Sequence, residues 1–416
     1  MIRVDTSKTF QTIRGLGVTL PVTVNSKVYT KPFIESLVKD LGCSIIRTIF
    51  PTQESAIPDQ GRLGAQLADL RRLKEINPDL KIIASVSSPP GVMKDSGGRL
   101  RPDARGAFVE YLSNLCKTFQ EGGCTIYGMG FQNEAGRSYD VESYRQISNM
   151  LVDLRKTVKL LGTEDGFYAL PSMKDAVSVT DILAVQGYVD TSWGTLAGFR
   201  AHATLDDIFN AVYLNFREQF GSLGKEAWVV EAGFESLSWK SEPINYDRIV
   251  TVRDADFFGR IPTAALDLAL TINRAFTLGN FSAYVYGVAS SVSFGEAGEY
   301  NPERALCENG SKKAKFQAAK HFFRYVIPGM VRVGADSDGV EVSAFKSERI
   351  TVVVLINAKD FIVEDQIEFT GSVFNRFTSY ASVENEYHHQ ESGDIVGNSV
   401  KLMILPNSIL TIVVEG

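Results

Sequence analysis

The sequence predicts an α/β chain: a closed (β/α)8 TIM barrel with an attached all-β sandwich side domain. Three observations carry this. Short apolar runs rich in β-branched residues alternate with amphipathic stretches of helical period through the first three quarters of the chain. From the second such run to the eighth, the spacing leaves room for one strand, one helix and two loops per unit, which is the repeat of a barrel. Near Pro328 the texture changes to short strands separated by turn residues such as Ser337-Asp338-Gly339 and Pro406-Asn407-Ser408. A doubly wound open sheet is the rival. It needs a glycine-rich phosphate loop after its first strand, and Gly15-Leu16-Gly17 lacks the third glycine.

The barrel strands are predicted at Ile13–Val18, Ser44–Ile49, Lys81–Val86, Ile126–Phe131, Phe167–Leu170, Gly198–His202, Ala227–Glu231 and Ser282–Tyr286. Helical periodicity places helices at Pro32–Leu41, Gly64–Ile76, Asp103–Gly122, Val141–Leu161, Thr204–Phe220 and Ala255–Leu278, with Thr204 and Asp207 reading as a capping box. The β module follows as Val331–Gly334, Val340–Phe345, Ile350–Asn357, Ile367–Phe369, Phe377–Ala381, Lys401–Leu405 and Ile409–Val414. Ile2–Phe10 also alternates and is expected to add a strand to that module. The domains are therefore expected at 13–312 for the barrel and 1–12 plus 320–416 for the sandwich.

Composition narrows the function. The chain has 416 residues, 44% apolar and 22% charged, which excludes a disordered, collagenous or coiled-coil chain. A net charge of −6 without a basic stripe argues against a nucleic-acid partner. No run of apolar residues is long enough for a membrane span, and residues 2–13 carry charge and alternate, unlike a signal peptide. Cys43, Cys116, Cys124 and Cys307 are scattered, and with His202, His321, His388 and His389 they form no zinc-ligand spacing, so reduced structural cysteines and no metal are expected.

In a (β/α)8 barrel, reactive side chains sit just past the C-terminal strand ends. The fourth predicted strand runs into Gln132-Asn133-Glu134, and the seventh ends in Val229-Val230-Glu231. Two carboxylates facing one mouth suit glycoside hydrolysis, one protonated to donate to the leaving oxygen and one ionised to attack, roughly 5 Å apart in a retaining arrangement. Chance placement of two acids at strand ends is the competing explanation. Arg47 ends the second strand, where a buried guanidinium needs an acidic partner. Either it orients and ionises Glu231, or it forms a plain structural ion pair. Asn133 is placed to meet a sugar hydroxyl or to close a turn. His202, at the end of the sixth predicted strand, reads on its own as a satisfied core or rim histidine rather than a catalyst.

Segments in register along nearly the whole chain resemble glycoside hydrolase family 30, of the retaining clan A glycosidases. They are Gln11-Thr12-Ile13-Arg14-Gly15-Leu16-Gly17, Ser44-Ile45-Ile46-Arg47, Lys81–Ser85 with Ser88-Pro89-Pro90 and Met93-Lys94, Gln132-Asn133-Glu134, Ala227-Trp228-Val229-Val230-Glu231, Phe281–Tyr286, and Tyr325–Val333 followed by Val342–Lys346. The resemblance implies Glu134 as acid/base, Glu231 as nucleophile, Asn133 at the 2-hydroxyl, no cofactor, and a β-linked oligo- or polysaccharide such as xylan, β-1,6-glucan or galactan as substrate. His202, Tyr284, Tyr286 and Trp239 are candidates for lining the subsites. Several aromatic positions of the family pattern differ. Ser87 and Val92 stand where aromatics are usual, Ala135 replaces a proline, Tyr286 is followed by Gly287, and His202 by Ala203-Thr204. Aromatic walls stack on sugar faces, so a reshaped subsite is expected. The arginine- and tyrosine-rich segment of the glucuronate-dependent branch is Ala289–Gly295 here, without arginine. Two alternatives stay open: a catalytically weakened carbohydrate-binding barrel, and an exo-acting enzyme of β-xylosidase or β-glucosidase type. The family is largely secreted, while the absence of a signal in this chain leaves the cytoplasm open. Oligomeric state is not legible.

Overall fold

A computed structural model describes residues 1–21, 30–50, 60–137, 139–167, 170–187, 210–232, 261–291, 305–308, 310–383 and 386–416. After β1 (Ile2–Thr12), the next eight strands close a parallel barrel: β2 (Gly15–Pro21), β3 (Ile45–Phe50), β4 (Lys81–Val86), β5 (Ile126–Gly130), β6 (Lys159–Gly166), β7 (Ile182–Gln186), β8 (Ala227–Ala232) and β9 (Ala283–Tyr286). The described helices around it are α1 (Lys31–Ser36), α2 (Gln60–Ile76), α3 (Arg105–Glu121), α4 (Val141–Met150), α5 (Lys174–Val177), α6 (Asn215–Phe220), α7 (Ile261–Thr277) and α8 (Ala314–Phe323). The Asp140 side chain accepts the Ser143 amide at 2.7 Å and caps α4, satisfying an amide that the helix start leaves open. No described helix is long and apolar enough to cross a membrane. Three two-residue strands, β10 (Ser290–Ser291), β11 (Cys307–Glu308) and β12 (Ser311–Lys312), form a small sheet beside the barrel.

Two barrel strands correct the sequence reading. The fifth is Lys159–Gly166 rather than Phe167–Leu170, and the sixth is Ile182–Gln186 rather than Gly198–His202. Leu160-Leu161 continues the helical period of the preceding segment, but α4 stops at Met150, a 3-10 turn spans Leu154–Lys156, and burial in the barrel imposes the strand. His202 and the capping box at Thr204 lie outside the described residues.

Alternation divides each barrel strand between two cores. Ile45, Ile83, Leu161, Ile182, Ala184, Trp228, Val230, Ala283 and Val285 fill the barrel interior, while Ile46, Ile82, Val185, Val229, Tyr284 and Tyr286 face the helix layer. Trp228 plugs the floor. It stacks on Tyr127 at 5.7 Å, and its indole donates to Glu226 Oε1 at 2.6 Å, with Glu226 also paired to Arg14. The interior leaves no room at Gly130 on β5, where a β-carbon would occupy the position of the Glu164 carboxylate of β6.

The remaining strands are β13 (Val331–Ser337), β14 (Glu341–Lys346), β15 (Ile350–Asn357), β16 (Val363–Thr370), β17 (Arg376–Val383), β18 (Glu386–Asp394), β19 (Ser399–Ile404) and β20 (Ser408–Glu415). With β1 they form a nine-stranded sheet in the order β18-β17-β20-β15-β14-β13-β1-β16-β19. Its two arms share one apolar core, from Ile2 and Val4 through Val353 and Leu355 to Ile367 and Val400, so it is a sandwich. The other face of β15, with Val352, Val354 and Ile356, joins the barrel's outer core, which explains why this strand is buried on both sides. β18 is absent from the sequence reading. It is a polar edge strand exposed on both faces, so it carries no apolar alternation. Gln11 ties the two parts together: its amide donates to the Phe276 and Phe281 carbonyls at 2.9 and 3.0 Å, and its oxygen accepts from Arg332 at 2.9 Å.

Two predictions follow from packing. Gly130→Ala should displace Glu164 and lower stability by about 3 kcal/mol. Gly64→Ala, on the exposed side of α2 with open space around it, should raise stability by roughly 0.5–1 kcal/mol. Urea midpoints for the two variants should therefore move in opposite directions. The second prediction concerns His321 on α8. It is fully buried, within 2.8 Å of Thr411 Oγ1 and 2.7 Å of Ser382 Oγ, and stacks on His388 at 4.3 Å. Burial holds both imidazoles below the usual histidine range, His388 at about 4. Unfolded histidine titrates near ~6.5, so between that pH and about 4 the unfolded chain binds more protons. Stability present above the unfolded value is therefore lost as pH falls through this window. The urea midpoint should drop from pH 7 to pH 5, and His388→Gln, which can still reach the Gln317 carbonyl, should lose about 1 kcal/mol less over that interval.

Candidate active site

The mouth of the barrel is organised by a charge. Ile45 and Arg47 of β3 face inward, and where Ile45 meets apolar neighbours, Arg47 enters a polar layer. Its side chain is fully buried. Nη1 donates to Glu231 Oε2 at 2.5 Å, and Nη2 donates to Glu164 Oε2 at 2.5 Å and to Asn133 Oδ1 at 2.8 Å. One guanidinium thus holds two carboxylates and an amide oxygen. Burial alone would lower its pKa, but Glu164 and Glu231 outweigh that and drive it above the ordinary arginine value.

Strand irregularities bring the acids inward. Along β7 and β8, Val185 pairs with Val229, but Gln186 pairs with Glu231, so one extra residue is accommodated at Val230. Without that bulge, Glu231 would share the outward face of Val229; with it, Glu231 faces the interior beside Gln186. Its side chain keeps 17% exposure, enough to be reached from the mouth. β6 does the same. Thr163 pairs with Ala184 and Asp165 with Val185, leaving Glu164 as the extra residue, with φ of 57° in the left-handed region. Glu164 is fully buried, and the Ser85 hydroxyl of β4 lies within 2.8 Å of both its oxygens and donates to them. Burial pushes the Glu164 carboxyl up, Arg47 and Ser85 pull it down, and the net displacement is upward.

Asn133 and Glu134 follow β5. The Asn133 amide donates to the Val86 carbonyl at 2.8 Å, and its side-chain oxygen also accepts from Gln186 Nε2 at 3.0 Å. With Oδ1 held by Arg47 and Gln186, its Nδ2 is the group left to meet a ligand. Glu134 has φ of 55°, an uncommon conformation for a non-glycine residue and one that clusters at functional sites. Its amide donates to the Glu164 carbonyl at 3.2 Å, and Asp165 accepts the Gly136 amide at 3.0 Å. Adjacent acids of β6 therefore serve opposite sides: Glu164 reaches Arg47, while Asp165 pins the turn that presents Glu134.

Of the residues expected from the sequence, the structure brings Asn133 and Glu231 each onto Arg47 and places Glu134 next to Asn133 in the same loop. Tyr284 and Tyr286 are a correction. They occupy the face of β9 opposite Ala283 and Val285, buried in the helix layer, and do not line the mouth. His202 and Trp239 lie outside the described residues. Val92, at a position where the family pattern carries an aromatic, is 58% exposed in the turn after β4. Glu164, Ser85 and Gln186 were missed. A usable signal was present for Glu164, an acid between two glycines at the end of an apolar run, Leu160–Gly166.

No family model matches the sequence. The glucuronoxylanase XynC of Bacillus subtilis is 23% identical over 291 residues, covering 66% of this chain and 60% of that protein. The chain thus spans about 60% of the length of the curated relative it matches. Among solved structures, a family 30 subfamily 8 xylanase, Xyn30A from Clostridium acetobutylicum, superposes with a TM-score of 0.77 at 19% identity, covering 100% of this chain and 99% of that one. A family 30 endoxylanase from Clostridium papyrosolvens C71 gives a TM-score of 0.75 at 20% identity, with 100% of both chains covered. From the first strand of the sandwich to the last, the chain has the fold of the glycoside hydrolase family 30 xylanases.

Proposed function

We propose that this chain is a retaining β-glycoside hydrolase acting on a β-linked oligo- or polysaccharide, with Glu231 as nucleophile and Glu134 as acid/base. The observation that carries the reading is the state of Glu231: a carboxylate held by Arg47 at 2.5 Å yet still reachable from the barrel mouth. A carboxylate oriented by a buried cation is suited to attack an anomeric carbon. Glu134, at the end of β5 with β6 and β7 between it and β8, is the second carboxylate that this chemistry requires.

In the proposed cycle, Glu231 forms a bond to the anomeric carbon as the glycosidic bond breaks, and Glu134 gives its proton to the leaving oxygen. Glu134 then takes a proton from the water that hydrolyses the glycosyl-enzyme. Nδ2 of Asn133 is the donor proposed to hold the 2-hydroxyl. The xylanases of like fold put xylan first among substrates to try, followed by β-1,6-glucan and galactans, since the reshaped aromatic positions and the arginine-free Ala289–Gly295 segment leave the sugar open. A polysaccharide substrate implies action outside the cell.

Purified protein should hydrolyse one member of such a panel, with the product released in the anomeric configuration of the substrate, as proton NMR would show. Glu231→Gln should lower kcat by at least a thousand-fold, or ~10³, with the fold intact by circular dichroism. Glu134→Ala should lose about 10²–10⁴-fold on the natural glycoside. It should lose far less on an aryl glycoside whose leaving group needs no proton. Binding to one polymer without turnover would favour the carbohydrate-binding alternative, and inverted product would sink the retaining mechanism.

A further inference from the structure

We propose that Glu164 is a positioning residue for this reaction: by sharing Arg47 with Glu231, it fixes the guanidinium and supplies the site's counter-charge when Glu231 gives up its own. The proposal rests on the reading of Glu231 as nucleophile.

The geometry makes Glu164 surplus to the free state. Arg47 already has a carboxylate partner in Glu231, and burying a second carboxylate is costly. Yet the fold goes to some length to place one there. It is carried on a bulge in a left-handed conformation, received by the Ser85 hydroxyl, and accommodated only because residue 130 is glycine. The covalent step gives it a purpose. A Glu231 oxygen bonds to the anomeric carbon while the glycosidic C–O pair leaves with the departing oxygen, which takes the Glu134 proton. The site's net charge is conserved, but its distribution is not: Glu231 becomes a neutral ester and Glu134 an anion. Arg47 would then be a buried cation whose Nη1 partner has lost its charge. Glu164, on Nη2 at 2.5 Å, keeps it neutralised and in place until the ester is hydrolysed.

The test is Glu164→Gln in the full chain, which keeps the shape and the acceptor for Ser85 but removes the charge. The expected result is a fall in kcat of about 10–100-fold, the range seen when an orienting partner of a metal ligand is removed, with KM within roughly twofold. Arg47 would then act on Glu231 alone, with the Glu164 charge gone from beside it, so the acid limb of the kcat/KM profile should move to lower pH. A purely structural role would lower stability and leave that limb in place, and this result overturns the proposal, as would unchanged kcat. If Glu164→Gln does not fold, Ser85→Ala, which removes only the hydroxyl that holds Glu164, should lower kcat several-fold with KM unchanged; wild-type kcat in that variant overturns the proposal. Glu231→Gln separates the two readings. If the wild type is active, Glu231→Gln is dead and Glu164→Gln behaves as wild type, the positioning role alone falls. If Glu231→Gln is as active as the wild type, or the wild type turns over no glycoside, both fall.

Discussion

The arrangement at the barrel mouth depends on one buried guanidinium. Arg47 gathers Glu231 from β8, Glu164 from β6 and Asn133 from the loop after β5, so a single side chain on β3 sets the relative positions of groups from three other elements. Such a cluster is expensive. Each ion loses water, and the attraction between them repays that loss only when the contacts are short and the remaining polar atoms are occupied. The short contacts are present, Ser85 donates to the Glu164 oxygens, and Gln186 shares Asn133 Oδ1 with Arg47, while the buried Arg47 Nε has no hydrogen-bond partner among the described residues. Removing any one partner would leave a buried charge with less compensation, which is why the bulges and the glycine opposite Glu164 belong to the site as much as the acids do.

Those bulges show how barrel geometry and chemistry constrain each other. A regular β8 would turn Glu231 toward the helices, and a regular β6 would have no extra residue to aim inward. The irregularities cost ladder hydrogen bonds at two strand ends. They occur where the apolar interior layer of Ile45, Ile83, Ala184 and Val285 gives way to the polar layer above it. Below that transition, Trp228 and its stacked tyrosine close the floor, and the sandwich stiffens the assembly from outside through β15 and the Gln11–Arg332 contact.

Much of this was legible in the sequence, for identifiable reasons. Asn133, Glu134 and Glu231 each end or follow a β-rich apolar run, so a strand-end rule finds them without knowing the register; Arg47 lies inside β3 and stood out instead as a charge in an apolar strand that needs an acidic partner. Glu164 escaped because Leu160-Leu161 extends the helical period of the segment before it, which hid the strand that carries it. The same slip displaced the sixth strand and attached a strand-end role to His202. Tyr284 and Tyr286 were misplaced for a different reason. Nearness to a strand end says which mouth a residue is close to, but only parity says which face it occupies. Ala283 and Val285 take the interior of β9, which leaves the tyrosines outside.

Parity also bears on the choice between a hydrolase and a binder. A barrel that only needed to fold would carry its apolar interior to the mouth, since replacing a buried ion cluster by packed hydrophobic side chains is often neutral or stabilising. A barrel that only needed to hold a sugar would present aromatic faces and neutral hydrogen-bonding groups there. Among the described residues the mouth does neither: Val92 stands exposed where an aromatic would serve stacking, while three acids and one arginine are gathered there. Two of the acids compete for the same cation, and the third is presented by a backbone in a left-handed conformation. Stability and affinity both argue against that combination, whereas the proposed transfer of charge from Glu231 to Glu134 and back would make use of it. The physical cost of the polar layer is therefore the strongest reason to read the site as one that changes its charge distribution during a reaction.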